Sequence, residues 1–78
     1  MNNTNYLLKG ERVAHNKSQL EMAQHLGICE TAYTMKERGQ RKFTLPESEE
    51  IAILFELSLA KYAQIFLPKL FTQTEQKA

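Results

Sequence analysis

The chain has 78 residues, 42% of them hydrophobic and 24% charged, and its ten Lys and Arg residues against nine acidic residues leave a net charge of +1. This length accommodates one small domain, and a single cysteine excludes a disulfide within the chain. The apolar runs are far shorter than the roughly 20 residues that cross a bilayer. The N-terminus also lacks the pattern of a secretory signal, so we expect a cytoplasmic protein with no membrane contact.

Charge is distributed unevenly along the chain. Residues 9–44 carry seven basic and four acidic side chains, whereas residues 45–78 carry three and five. A chain polarised in this way can present a basic face to an anionic partner. The polar ends, 1–5 and 72–78, are predicted to be flexible, which leaves a single domain over 6–71.

Two helices are predicted in the first part of the chain. Apolar spacing predicts the first from about Tyr6 to His15. Ser18 and Glu21 then form a capping box, so a second helix starts at Ser18 and ends at Gly27, a residue that favours a left-handed turn. The residues predicted to face the core are Leu8, Arg12 and Val13 in the first helix and Leu20, Ala23 and Leu26 in the second.

A third helix is predicted immediately after this turn. It runs from Glu30 to about Arg38, buries Tyr33 and ends at Gly39. Two helices joined by a three-residue turn are typical of a helix-turn-helix unit.

The remaining sequence predicts two more helices. Thr44 and Glu47 form a second capping box for a fourth helix that runs to about Glu56. Ser58 caps a fifth helix whose continuation Pro68 limits. The apolar residues predicted to be inward are Phe43 and Leu45 in the loop between the third and fourth helices, and Leu59, Tyr62, Ala63 and Phe66 in the fifth helix. With no strand predicted, the fold class is all-α, a bundle of five short helices.

Residues 18–39 resemble the Cro and lambda-repressor type of helix-turn-helix family, also called the XRE family. The matching positions are Gln19, Ala23, Leu26, Gly27, Ile28, Tyr33, Glu37 and Gly39. The match extends through Arg12, FTLPE and ILFELSL and covers roughly residues 7–67. The resemblance implies a lambda-repressor-like domain with its helix-turn-helix at the second and third helices. It is closest to small phage-type members and so implies a bacterial or phage protein.

The resemblance also implies a set of contacts with double-stranded DNA. The expected phosphate contacts are Ser18, Gln19, Arg38, Gln40, Arg41 and Lys42. The expected base-reading residues are Glu30, Thr31, Ala32, Thr34 and Met35. Arg12 and Glu37 match a partly buried ion pair that orients the recognition helix without touching DNA. Two positions depart from the family pattern: Cys29 replaces the usual Ser or Thr cap, and Glu30 is acidic, which signifies either narrow specificity or lost DNA binding.

The C-terminal region carries more apolar surface than a small core needs. The expected dimer or partner surface consists of Ile65, Leu67, Leu70 and Phe71. A homodimer would set two recognition helices one DNA turn apart, whereas the alternative is that this patch binds a different protein.

Two functions therefore follow from the sequence. The first is a dimeric, sequence-specific DNA-binding repressor that needs no cofactor. The alternative is a protein-interaction module that modulates a partner repressor through its C-terminal apolar surface. Neither a nucleophile and base pair nor a metal-ligand set is readable, so we expect neither an enzyme nor a metal site.

Overall fold

Five helices lie wholly within the described part of the chain, and their bounds follow the capping residues closely. The computed structural model describes residues 4–69. The helices are α1 (Tyr6–Ala14), α2 (Gln19–Leu26), α3 (Glu30–Glu37), α4 (Leu45–Leu54) and α5 (Leu59–Phe66). The described residues contain no strand, so the predicted all-α class is confirmed. Within 4–69, every helix is too short or too polar to span a bilayer.

Side-chain caps begin four of these helices. Both predicted capping boxes are present, Ser18 with Glu21 at α2 and Thr44 with Glu47 at α4. The Ser58 side chain accepts the Lys61 amide at the start of α5. At α3 the cap position is Cys29, whose side chain makes no such hydrogen bond, because a thiol is a weak acceptor. The start of α3 is therefore the least well capped in the described part of the chain.

The core draws apolar side chains from all five helices. Its buried members are Leu8, Met22, Ala23, Tyr33, Ile51, Phe55 and Ile65. Phe43 packs against this core as predicted, edge-on to both Tyr33 and Phe66 with ring centroids 5.9 and 5.6 Å apart. The segment between α3 and α4 is thus attached to the core by one aromatic ring.

Four apolar residues predicted to be inward are instead exposed. They are Val13, Leu20, Leu45 and Leu59. In α2 the buried face is centred on Met22 and Ala23, and Leu20 lies about 200° around the helix from Met22. The prediction that Leu45 faces the core is wrong for a different reason. Leu45 is the first residue of α4, next to the exposed cap Thr44, and is 65% exposed.

Asn5, which the sequence assigns to the flexible segment 1–5, is hydrogen-bonded to three helices. The Asn5 amide donates to the Glu37 carbonyl at 2.8 Å, and Asn5 Nδ2 donates to the Ile65 carbonyl at 3.0 Å. Asn5 Oδ1 accepts the Leu8 amide at 3.1 Å and so caps α1. Asn5 therefore joins the ends of α1, α3 and α5 and belongs to the domain. Residues 1–3, the domain's last two residues and the 72–78 tail lie outside the described residues.

Candidate nucleic-acid interface

The unit α2–turn–α3 is held by backbone geometry at its turn. Gly27 adopts φ +73°, a left-handed conformation that L side chains rarely adopt, and its amide closes α2 on the carbonyls of Ala23 and Gln24. The Ile28 amide donates to the Ala23 carbonyl at 3.0 Å. Ala23 is almost fully buried, so a larger side chain there would have to displace its neighbours. The turn therefore sets the direction in which α3 leaves α2.

A buried carboxylate fixes α3 against α1 and α2. Glu37 Oε1 accepts from Arg12 Nε at 2.8 Å and from Tyr33 Oη at 3.0 Å. Glu37 Oε2 accepts from Arg12 Nη2 at 3.2 Å and from Gln19 Nε2 at 3.0 Å. Each carboxylate oxygen thus has two donors, and the expected Arg12 and Glu37 ion pair is present with both side chains largely buried.

The network shifts the pKa of both acidic groups at its centre. Burial by itself raises the pKa of Glu37, but the hydrogen bonds from Arg12 and Gln19, together with the Arg12 charge, outweigh it and hold that pKa below its usual value. Burial raises the pKa of Tyr33, and the neighbouring Glu37 charge raises it further. Glu37 is therefore charged and Tyr33 neutral near neutral pH.

Gln19 and Thr34, two of the predicted DNA contacts, extend this network towards the surface. Thr34 Oγ1 donates to Gln19 Oε1 at 3.1 Å while the same amide donates to Glu37. Both side chains are half-buried. A phosphate contact through the Gln19 side chain is accordingly restricted to its second amide proton. Tyr33 and Glu37 lie four positions apart on one helix, so their contact could have been predicted from the sequence. No sequence signal pairs Thr34 with Gln19.

The predicted base-reading residues divide by exposure. Glu30 and Thr31 are exposed in the first turn of α3, whereas Ala32, Thr34 and Met35 are half-buried. A helix that enters the major groove presents its N-terminal residues to base edges. Of the five predicted base-reading residues, Glu30 and Thr31 are therefore the two that lie exposed at the surface.

A basic segment, residues 38–42, follows α3 and is hydrogen-bonded to it through the backbone. The Met35 carbonyl accepts the Gln40 amide at 2.9 Å and the Arg41 amide at 3.3 Å. Arg38, Arg41 and Lys42 are exposed and form no ion pair with any residue of 4–69. The exposed Ser18 lies at the start of α2, where its hydroxyl oxygen already accepts the Glu21 amide.

One basic residue of α3 is structural and was not anticipated. Lys36 pairs with Glu47, which also accepts the Thr44 amide at 2.9 Å. Burial raises the pKa of Glu47, but the hydrogen bonds from Lys36 and Thr44 outweigh it and leave that pKa lowered. Lys36 therefore joins α3 to the start of α4 and leaves the cations of the basic segment to carry the surface charge.

The predicted dimer surface is only partly at the surface. Ile65 is 3% exposed and belongs to the core, so its assignment to an interface was wrong: its place on α5 faces the other helices. Leu67 is exposed, and Leu70 and Phe71 lie outside the described residues.

The side chains described in 4–69 include no group of three His, Cys, Asp or Glu residues placed to hold a metal ion. Cys29 is free and exposed. Comparison with protein families, with curated proteins and with solved structures finds no match to this chain.

Proposed function

We propose that this protein is a sequence-specific DNA-binding regulator of transcription, similar to the Cro-like members of the XRE family. In this proposal α3 enters the major groove, and exposed residues of its first turn, Glu30 and Thr31, contact base edges. The observation that carries it is the buried network on Glu37, which joins α3 rigidly to α1 and α2 while the outer surface of α3 and the segment after it stay exposed.

The exposed basic segment supports the same function. Arg38, Arg41 and Lys42 follow the recognition helix, where the DNA backbone passes in complexes of this kind. Because Lys36 is neutralised by Glu47, these three cations dominate the charge there. They would position the protein on phosphates without reading sequence, and Gln40 and Ser18 would add hydrogen bonds to the backbone.

The first experiment is selection of random duplex DNA by the purified protein at two salt concentrations, with the oligomeric state recorded by light scattering. We expect enrichment of one sequence, weakened by salt because binding releases counterions from the DNA. If two copies bind as a dimer, the enriched site is a palindrome. If no sequence is enriched at the lower or at the higher salt concentration, the proposal is excluded.

Substitutions test the separate roles. Arg41→Ala and Lys42→Ala should each weaken binding to all sequences alike and reduce the salt slope by about 1. Thr31→Ala should change the preference between sequences. The matched control is Lys9→Ala, which removes an exposed cation on α1 outside the candidate interface and should leave binding unchanged.

Glu30→Gln separates the two interpretations of its charge. If the carboxylate accepts from a cytosine amino group, the variant should change the preferred base at one position. If the carboxylate only repels phosphate, the variant should strengthen binding to every sequence equally. The comparison needs the enriched site and single-base variants of it.

A further inference from the structure

An open groove crosses the side of the domain between the N-terminus, the segment after α3 and the end of α5. Its volume is about 930 Å³. The start of α1 forms one wall, and residues 66–69 form another. Phe43 and Tyr62 line it from the core side. The groove is distinct from the exposed first turn of α3, because neither Glu30 nor Thr31 lines it.

Exposed apolar side chains concentrate in this groove. Of the eight large apolar residues that are exposed in the described part of the chain, four line it: Tyr6, Leu7, Leu45 and Leu67. They come from three separate places in the sequence, since Tyr6 and Leu7 are adjacent, and the fold brings them together. Grouped apolar surface of this kind marks an interaction site more often than scattered exposed residues do.

The charge of the groove has one sign. Arg41, Lys42 and Lys69 line it, are exposed and form no ion pair among residues 4–69. The fourth basic residue, Lys36, is already paired with Glu47. No acidic side chain from the described residues lines the groove. An occupant therefore meets apolar surface beside uncompensated positive charge.

These two properties select among occupants. A second copy seated groove to groove would bring the same cations together, and like charges facing each other across an interface are costly. A DNA backbone would satisfy the cations but leave the apolar side chains without a partner. A peptide segment that carries both acidic and apolar side chains satisfies both.

We propose that the groove between Leu7, Leu45 and Leu67, with Arg41, Lys42 and Lys69 at its edge, docks an acidic, apolar peptide segment of a partner protein. Arg41 and Lys42 are also the phosphate contacts of the proposed function. Where that function holds, the peptide and DNA compete for these two cations, so the partner displaces the protein from its DNA site.

The direct test measures binding of a short labelled peptide that alternates Glu with Leu and Phe, by fluorescence anisotropy and without DNA. The full chain should bind it, and a peptide with Lys in place of Glu should not bind. Leu7→Ser with Leu45→Ser should weaken binding by about tenfold, since buried apolar anchors carry much of the affinity at such sites. The matched control is Leu59→Ser, because Leu59 is 88% exposed and lies outside the groove.

Circular dichroism of each variant shows that the fold is retained, which is expected since all three leucines are exposed. Lys42→Glu should weaken binding of the acidic peptide, whereas Lys9→Glu should leave that binding unchanged. A second arm adds the peptide to the complex with the selected DNA and follows release of the DNA. If the chain binds no DNA, the anisotropy arm still decides on the groove, so the two proposals fail separately.

Several results would overturn the docking proposal. One is no binding of the acidic peptide, or equal loss of binding with Leu59→Ser. Another is a dimer in light scattering that Leu45→Ser dissociates, which would make a second copy the occupant. A third is a large gain in peptide affinity on Leu70→Ser with Phe71→Ser, which would make the chain's own C-terminal segment the occupant.

Discussion

Replacing Glu37 by Gln tests the buried network most directly, because the side chain keeps its shape and loses its charge. The carboxylate accepts four hydrogen bonds, two of them from Arg12. An amide has one acceptor oxygen and one NH₂ group. Tyr33 and Gln19 can reverse donor and acceptor at little cost, but Arg12 has only donors. Whichever way the new amide is oriented, one Arg12 N–H faces an NH₂ group.

The larger loss is electrostatic. Arg12 would remain buried without a counter-charge, and its acceptors would be the Lys17 carbonyl at 2.8 Å and the one amide oxygen of the new side chain. Removing one partner of a buried ion pair costs about 3–5 kcal/mol. A domain of this length has a total stability of about 4–12 kcal/mol, so the variant should lose a large share of it.

Urea denaturation followed by circular dichroism measures the effect. With an m-value of about 1 kcal/mol/M for so small a domain, the midpoint should fall by about 3–5 M. The double variant Arg12→Met with Glu37→Gln removes the unpaired cation and leaves an amide that can still bind Tyr33 and Gln19. We expect the double variant to be more stable than Glu37→Gln alone, since buried pairs can be replaced by neutral groups at little cost.

Two results would refute this reasoning. A midpoint shift below about 0.5 M for Glu37→Gln would show that the pair is solvated in solution. A double variant less stable than Glu37→Gln would show that Arg12 stabilises the fold by its packing and not through its charge.

Three further predictions follow from the same structure. Because the pKa of Glu37 is lowered in the folded state, its contribution to stability is complete above about pH 4.5 and is lost as the pH falls towards the lowered value. Below about pH 4.5 the free energy of unfolding should therefore fall less steeply with decreasing pH in Glu37→Gln than in the wild type. Gly27→Ala should cost about 1 kcal/mol because of its positive φ alone, whereas Gly10→Ala, inside α1 with equally open space around it, should stabilise the fold by about 0.5–1 kcal/mol. Changes in melting temperature of the same sign for the two variants would contradict this. Asn5→Ala should cost about 1–2 kcal/mol through the lost cap and the lost bond to α5, and an unchanged melting temperature would show that the N-terminal anchor is absent in solution.

The sequence alone predicted the helices and their starts, because capping is local. Ser18 with Glu21, and Thr44 with Glu47, lie three residues apart, so each box can be recognised without knowing where the rest of the chain goes. Gly27 is a similar case, since its left-handed conformation depends on the residue itself.

The exact inward face of each helix was less predictable. Met22 and Leu20 are both apolar, and only the position of the neighbouring helices decides that Met22 is buried and Leu20 exposed. Ile65 and Leu67 differ in the same way, although both were expected at one surface. Hydrophobicity states that a side chain prefers burial, but it does not state which of two candidates the fold can cover.

Apart from the Arg12–Glu37 pair, which the family resemblance implied, the long-range polar contacts and the groove were decided by the tertiary structure alone. The bonds from Asn5 to Ile65, and from Thr34 to Gln19, join residues whose sequence separation carries no periodic signal. The groove likewise assembles Leu7, Leu45 and Leu67 from distant segments. Local chemistry therefore determined where the helices begin and end, whereas packing between them decided which side chains meet, because burial and proximity are properties of the whole fold.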